Sequence, residues 1–577
     1  MSYLQVEHKS CLPFQFITED KWIYLMIKEY GKKELKNLVC CYSDPSEVVN
    51  YVNGEKKFFI KEEKPSRKVF GENVVYYYFR FKLISPKLRY YFTFKMNNKT
   101  FCLDERGVLE TLNENLIRGF FIDFCFFDKK YKVQRENQNL LWYQIFPDRF
   151  ANSNYKEKDY PDLRKAEFSN YFFNGDLKGI ISKLDYIKSL GFHGIYLNPI
   201  FQSNSVHRYD TINYCQIDKK LGNEKNFKDL CEACHASGLK IMLDGVYNHC
   251  SSESEQFQDV LKNGKKSKYY NWFIIQDKDT YSLNLKYEKT KSHPYEVFGF
   301  LPIMPKWNTQ NQGVQEFLIS SAAKWTQKYN IDAWRLDVAD EISDDFLRKY
   351  TLRLKSINPK IYIIGEIWSN PLRWLSGDMF NGVMNYTLYY IVRDFIMEKI
   401  DNNQFCSRLI EYCSEIPLPI QAEMFNFCGN HDLPRIMYLC NNDKTKVLLA
   451  LTITLIMPGN YNCYYGEEIF LTGAADPCNR GVFPWGKEEK RDKYQIIFCE
   501  LLNYYKRYSR KNLMFEKVEI KDDIMKLTTK DDEGSNELFV NLGNIEKCLP
   551  FKQCITTGNC GKGEIVLKSF DFALSRK

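Results

Sequence analysis

A chain of 577 residues is too long for a single hydrophobic core, so roughly two to four domains are expected. Hydrophobic residues make up 44%, which fits a globular chain rather than a disordered one. The formal net charge of +8 is spread over 81 basic and 73 acidic side chains, and the short runs KKSK at 265–268 and KEEKRDK at 487–493 resemble solvated loops, so no nucleic-acid partner is expected.

The N-terminal MSYLQVEHKS lacks the basic-then-apolar pattern of a secretion signal. The longest apolar run, Val447 to Met457, is far too short to span a bilayer and stops at Pro458, so no membrane partner is expected. Nineteen cysteines, an odd number without a signal, point to reduced thiols in a cytoplasm. Residues 1–130 carry short alternating aromatic stretches: Val74–Leu83 and Arg89–Lys95 read as paired strands, with a turn over Met96–Lys99, and together predict a β-sandwich.

From Leu141 apolar strands alternate with amphipathic helices. Leu177, Ile180, Ile181, Leu184, Ile187 and Leu190 share one helical face, which Gly191 closes. Strand candidates are Leu141–Phe146, Gly194–Leu197, Lys240–Asp244, Ile331–Leu336, Ile361–Ile364, Gly382–Met384, Met424–Cys428 and Asn462–Tyr465. Eight strand–helix units predict a parallel sheet closed into a (β/α)8 barrel over 131–507, interrupted by a small lobe at 248–312. From 508 to 577 short strands return, as in Leu538–Leu542, and predict a C-terminal β-sandwich. Cys231-Glu-Ala-Cys234-His235 matches a haem-attachment pattern, but Phe227, Leu230, Cys231 and Cys234 recur at helical spacing, which makes the thiols small core residues.

In such a barrel, chemistry sits at the carboxyl ends of the strands. Four strand ends are rich in polar groups: Asp244-Gly-Val-Tyr-Asn248-His249, Arg335-Leu-Asp337, Glu366-Ile-Trp368 and Asn430-His431-Asp432. Three of only seven histidines, His207, His249 and His431, fall in post-strand segments. Taken singly, each has a bland explanation, since a strand-end Asp often caps the next helix and Arg335–Asp337 is compatible with an ordinary ion pair. Glycoside cleavage needs one carboxylate to attack carbon and one carboxyl to carry a proton, and a cation such as Arg335 beside the attacker favours its ionised form.

These ordered segments resemble the principal motifs of the α-amylase superfamily, over roughly residues 140–490. The resemblance implies Asp337 as nucleophile, Glu366 as general acid/base and Asp432 as stabiliser of the distorted sugar. It implies Arg335, His249 and His431 as supporting groups, Asp244 and Asn248 as an architectural pair, and Tyr209, after His207, as an aromatic platform under the sugar. Met304-Pro-Lys-Trp-Asn308, Trp142–Arg149 and Asp476-Pro-Cys-Asn-Arg480 are similar to the neopullulanase, cyclomaltodextrinase and maltogenic amylase group, with Asp476, Arg480 and Trp368 near the sugar chain. That likeness implies a homodimer built through the N-terminal domain and a maltodextrin or cyclodextrin substrate. Ser369 stands where relatives carry a bulkier polar residue, and Trp307 where leucine is commoner. No cofactor is required by such chemistry. A structural calcium ion is the one candidate, on oxygens of Asn152, Asn154, Asn174 and Asp176, although Lys156 and Lys158 intrude on that loop.

The expected function is retaining hydrolysis of α-1,4-glucosidic bonds in maltooligosaccharides, cyclodextrins and pullulan, with transglycosylation. Alternatives left open are an α-1,6-acting or mainly transferring enzyme, and, in another class, a non-catalytic carbohydrate-binding barrel; decayed members of that class should lack a central carboxyl, and none is missing here.

Overall fold

The computed structural model describes residues 5–31, 34–44, 50–52, 55–57, 61–82, 87–96, 99–110, 119–122, 134–154, 171–276, 293–486, 491–508, 510–550, 553–561 and 563–577. Asn97 and Asn98 of the predicted turn, Lys156 and Lys158, lobe residues 277–292 and residues 487–490 lie outside them. Two compact units emerge, one comprising Met1–Arg135 with Asn370–Asp378 and Asn402–Gln421, the other Glu136–Ser369, Met379–Asp401 and Ala422–Lys577.

The second unit is built on eight strands: β1 (Leu141–Ile145), β2 (Gly194–Leu197), β3 (Lys240–Gly245), β4 (Ala333–Leu336), β5 (Tyr362–Gly365), β6 (Gly382–Val383), β7 (Phe425–Phe427) and β8 (Asn460–Tyr464). They pair in parallel in the order β6-β5-β4-β3-β2-β1-β8-β7, and a parallel bridge between Met384 and Phe425 joins β6 to β7 and closes the barrel. Closure is tight: a Cβ on Gly382 would stand 2.0 Å from the Glu423 carbonyl oxygen, so only glycine fits there. Both faces of these strands are covered, which is why they read as almost unbroken apolar runs.

Local chemistry sets the surrounding helices. Asn223 and Asn226 form a reciprocal cap at the start of Glu224–Ala236, whose buried face is Phe227, Leu230, Cys231 and Cys234. The haem-like cysteines are therefore core residues. Gly191, at φ 95°, ends Leu184–Leu190 in the left-handed conformation that the sequence demanded of it. The lobe after β3 carries a helix, Glu255–Asn263, and backbone bridges His249–Lys306, Phe273–Trp307, Ile275–Tyr295 and Val297–Pro305. Trp307 is buried there and donates its indole N–H to the Tyr214 hydroxyl at 3.1 Å.

Beyond the barrel, strands Met514–Lys521, Ile524–Lys530, Ser535–Asn541, Phe572–Arg576 and Ile555–Thr556 form one sheet and Lys547–Pro550, Glu564–Leu567 and Asn559–Cys560 a smaller one. Ile565, Leu567 and Ala573 pack between the two. Arg510 joins this region to the barrel domain by donating to the carbonyls of Leu455 and Met457 at 2.6 and 2.8 Å.

The first unit stacks two antiparallel sheets, one centred on Trp22–Tyr30 and Val74–Lys82, the other on Leu88–Met96 and Lys36–Ser43. Alternate residues of both, including Ile23, Leu25, Ile27, Val75, Phe79, Tyr90, Phe92 and Cys40, share one core, as a sandwich requires. The helix Asn402–Glu415 belongs to this unit, where Lys28 Nζ meets Glu415 at 2.6 Å and the Tyr78 hydroxyl donates to the Ser414 carbonyl at 2.9 Å.

Candidate active site

Strand register assembles the site. Asp244 pairs with Arg335 across β3 and β4, and Leu336 with Gly365 across β4 and β5, so Asp337 and Glu366 emerge side by side one residue beyond the sheet. The Asp337 N–H still donates to the Gly245 carbonyl and the Glu366 N–H to the Leu336 carbonyl, which fixes where each side chain starts.

Arg335 is fully buried at the centre. Its Nη1 lies 2.8 Å from Asp244 Oδ1 and 2.8 Å from Asp337 Oδ1, and its Nη2 lies 2.9 Å from Glu366 Oε2. One guanidinium thus touches three carboxylates. Those charges hold its pKa well above the usual value against the cost of burial, so it stays a cation. Burial pushes the Asp337 carboxyl well up, Arg335 pulls it down, and Glu366, Asp244 and Asp432 push it up again. So crowded a set retains a proton that belongs to the cluster rather than to one member.

Asp244 is raised by burial and countered by Arg335 and by the hydroxyls of Tyr196 and Tyr209, which donate to its Oδ2 at 2.6 and 2.9 Å. Glu366 Oε2 accepts the Val338 backbone N–H at 2.9 Å, and its Oε1 accepts the Trp368 indole N–H at 2.9 Å. Trp368 stacks on Tyr386 with centroids 4.0 Å apart yet is 42% exposed, which leaves much of it facing solvent.

His431 is held by amides. Gln144 Nε2 and Asn198 Nδ2 approach its Nδ1 at 3.0 and 3.1 Å. Nδ1 is therefore the acceptor, and Nε2 carries the proton toward Tyr209 Oη at 2.5 Å and Asp432 Oδ2 at 3.1 Å. Burial drives its pKa far below the usual value, helped by Arg480 and Arg335, so the ring is neutral. Asp432 also faces Arg480 Nη2 at 3.4 Å, while Arg480 Nη1 meets Asp476 at 3.1 Å. Burial, with Glu366 adding, pushes Asp432 up to about 7; its side chain keeps 29% exposure, so it stands in a cleft that water reaches.

His207 Nδ1 accepts the Tyr209 N–H at 3.0 Å, and burial lowers its pKa to about 3. His249, lowered by burial to about 3, lies flat against Phe298 with centroids 4.5 Å apart. Its Nε2 and the buried Asn248 Oδ1 have no hydrogen-bond partner among the described residues. The predicted catalytic and sugar-contacting residues lie on segments leaving the C-terminal ends of the barrel strands, except Arg335, which lies within β4.

The predicted calcium oxygens lie apart from this network. Asp176 caps Leu177–Ile181 through Gly179 N at 2.6 Å and accepts from the Ser153 hydroxyl at 2.7 Å. Asn152 Oδ1 accepts the Asn154 N–H at 2.7 Å, and its amide donates to the Asn174 carbonyl. Among the described residues no group of three or more His, Cys, Asp or Glu side chains is placed to hold a metal ion.

Sequence reasoning passed over Gln144, Asn198, Tyr196 and Tyr386. Gln144 and Asn198 close β1 and β2, so the same strand-end test that found Asp244 finds them. Tyr196 and Tyr386 carry no comparable signal in the sequence; their hydroxyls reach Asp244 and Glu366 only in the folded chain.

The alpha-amylase catalytic-domain family matches residues 144–536, which takes in the end of β1 and the whole of β2 to β8. The chain belongs to that family. Within it, the chain is 34% identical over 511 residues to a cyclomaltodextrinase of Geobacillus thermopakistaniensis (strain MAS1), covering 87% of this chain and 84% of that one. It is 31% identical over 558 residues to an intracellular maltogenic amylase of Bacillus subtilis (strain 168), covering 94% and 92%. A solved cyclomaltodextrinase structure superposes with a TM-score of 0.84 at 27% identity, over 99% of each chain. Among the described residues, no helix is long and apolar enough to cross a membrane.

Proposed function

We propose that this alpha-amylase family member is a retaining glycoside hydrolase cutting α-1,4-glucosidic bonds in maltooligosaccharides and cyclodextrins, with transfer to sugar acceptors as a side reaction. The observation that carries the reading is the single buried guanidinium of Arg335 touching Asp244, Asp337 and Glu366, with Asp432 beside them.

Asp337, whose ionised form Arg335 favours against burial and the neighbouring carboxylates, attacks the anomeric carbon as the glycosidic C–O bond breaks. Glu366 delivers its proton to the departing oxygen. The resulting glycosyl ester on Asp337 is then opened by water, whose proton returns to Glu366. Asp432 and the neutral His431 Nε2–H hydrogen-bond the sugar during distortion, and the Arg480 cation favours ionised Asp432. Retention calls for carboxyls about 5–5.5 Å apart, and sharing one guanidinium suits such closeness. Trp368 and Tyr209 supply aromatic faces beside the reacting sugar.

Water and two carboxyls complete this reaction without a cofactor. The Asn152–Asp176 loop is read as self-supporting, because Asp176 already accepts from Gly179 and Ser153. A cytoplasmic location is supported by the relative named intracellular and by eighteen described cysteines that are all free thiols. Homodimerisation through the N-terminal unit rests on the family likeness, and light scattering on the purified chain tests it.

The deciding experiment is proton NMR of γ-cyclodextrin and maltotriose turnover. The α-anomer should appear first; initial release of the β-anomer overturns retention. Parallel digests of pullulan and isomaltose show which bond is preferred.

A further inference from the structure

Lys306, from the Met304–Asn308 motif, has no part in the chemistry above, yet it reaches the loop that carries the nucleophile. Its Nζ lies 2.9 Å from Glu341 Oε2, and the Asn248 amide donates to the same oxygen at 3.1 Å. The lysine side chain keeps only 18% exposure, and its backbone is fixed by the His249–Lys306 bridge and by donation to the Glu296 carbonyl at 3.0 Å. The Trp307 N–H donates to the Asn248 carbonyl at 3.0 Å, which ties the same strand to the segment after β3.

Glu341 ends the short turn Ala339–Glu341, whose N-cap is Val338. Val338 follows Asp337 directly and adopts φ 45°, a conformation that a β-branched residue takes only under constraint from its surroundings. The strained peptide does specific work: the Val338 N–H donates to Glu366 Oε2, and the Ala339 N–H donates to the Glu366 carbonyl at 3.2 Å. The turn is closed by the Glu341 N–H on the Val338 carbonyl at 3.1 Å. Asp337 and Glu366 are thereby joined through one unfavourable backbone unit, and the Lys306–Glu341–Asn248 contact holds its far end.

We infer that Lys306 is a positioning residue: its ammonium clamps Glu341 and so holds the strained Val338 turn that sets Asp337 and Glu366 against each other. The inference rests on the catalytic roles given above. Asp340 neighbours the clamp, and the lysine charge opposes the burial that raises its carboxyl pKa, so the ammonium offsets an otherwise acidic corner.

The consequence is specific to the transition state. Asp337 and Glu366 must be aligned together only when the bond breaks, so loosening the turn lowers kcat more than it raises KM. In the full-length enzyme, K306M keeps the aliphatic stem and removes the charge; kcat on γ-cyclodextrin should fall about tenfold while KM stays within about twofold. The melting temperature should stay within about 2 °C, since a partly exposed ion pair adds little stability. K306R should restore most of the lost rate. E341Q should reproduce the K306M defect, and the double variant should be no worse than either, because both break one contact.

Wild-type kcat in K306M and E341Q, or losses that multiply in the double variant, overturns the clamp. If K306M fails to fold, E341Q alone decides by the same kcat criterion. Asp337→Asn separates the two layers of argument: turnover persisting in it overturns the catalytic assignment itself, whereas an inactive D337N beside an unimpaired K306M overturns the clamp alone.

Discussion

Two buried histidines show how differently the two units of this protein use polar groups. In the first unit, His8 sits among Phe14, Tyr90, Phe92 and Phe120, with both ring nitrogens occupied: Nδ1 by the Met26 carbonyl at 2.8 Å and Nε2 by the Tyr90 hydroxyl at 3.0 Å. Every contact serves packing. His431 in the barrel is equally buried and neutral, but its Nε2 points toward Asp432, at the cleft where water enters. His8 satisfies both its ring nitrogens inside the first unit. The barrel mouth gathers three carboxylates on one arginine, with Asp432 beside them, and gives stability up, since burial raises Asp244, Asp337 and Asp432 above their ordinary range and neighbouring carboxylates push Asp337 and Asp432 further.

That contrast is open to attack at several points. The largest effect belongs to Asp337→Asn, where turnover should fall by about 10⁴-fold or more while the thermal midpoint holds or rises, because the substitution removes a buried charge. A melting temperature that dropped sharply would show the site stabilising the fold, contrary to the comparison. Phe92→Ala is its mirror image: emptying the sandwich core should cost about 3–5 kcal/mol by urea denaturation, with kcat per folded molecule unchanged.

The histidine itself sharpens the comparison through pH. Burial lowers His8 to about 4 from an unfolded value near 6.5, so between those values the unfolded chain binds more protons than the folded one. The first unit's stability is therefore complete above pH ~6.5 and declines as pH falls toward 4, by about 3 kcal/mol in all. In His8→Gln this part of the slope should vanish, and a melting curve that stayed as steep would assign the acid sensitivity elsewhere.

At the barrel, Asp244→Asn removes one of the charges that raise Asp337 and frees Arg335 to pair with it. Both changes lower the Asp337 pKa, so the acid limb of kcat/KM should move to lower pH; movement upward would contradict the assigned couplings. The smallest expected effect is that of chelation. Dialysis against EDTA should leave activity and melting temperature unchanged if the Asn152–Asp176 loop supports itself, and a clear drop restored by calcium would reverse that reading.

Much of the molecule is legible in its sequence. Apolar strands alternating with amphipathic helices spelled the barrel because each element's period is written locally, and Gly191 marked a helix end for an equally local reason. The strand-end rule reached Asp244, Arg335, Asp337, Glu366 and Asp432, since a residue's distance past its own strand depends on nothing far away. What the sequence could not decide was who meets whom. That Gln144, Asn198 and Tyr209 converge on His431 and that Lys306 braces Glu341 follow from barrel closure and strand register, and the helix Asn402–Glu415 joins the first unit without any local signal of it. Those are products of long-range packing, fixed only when every strand has found its neighbour.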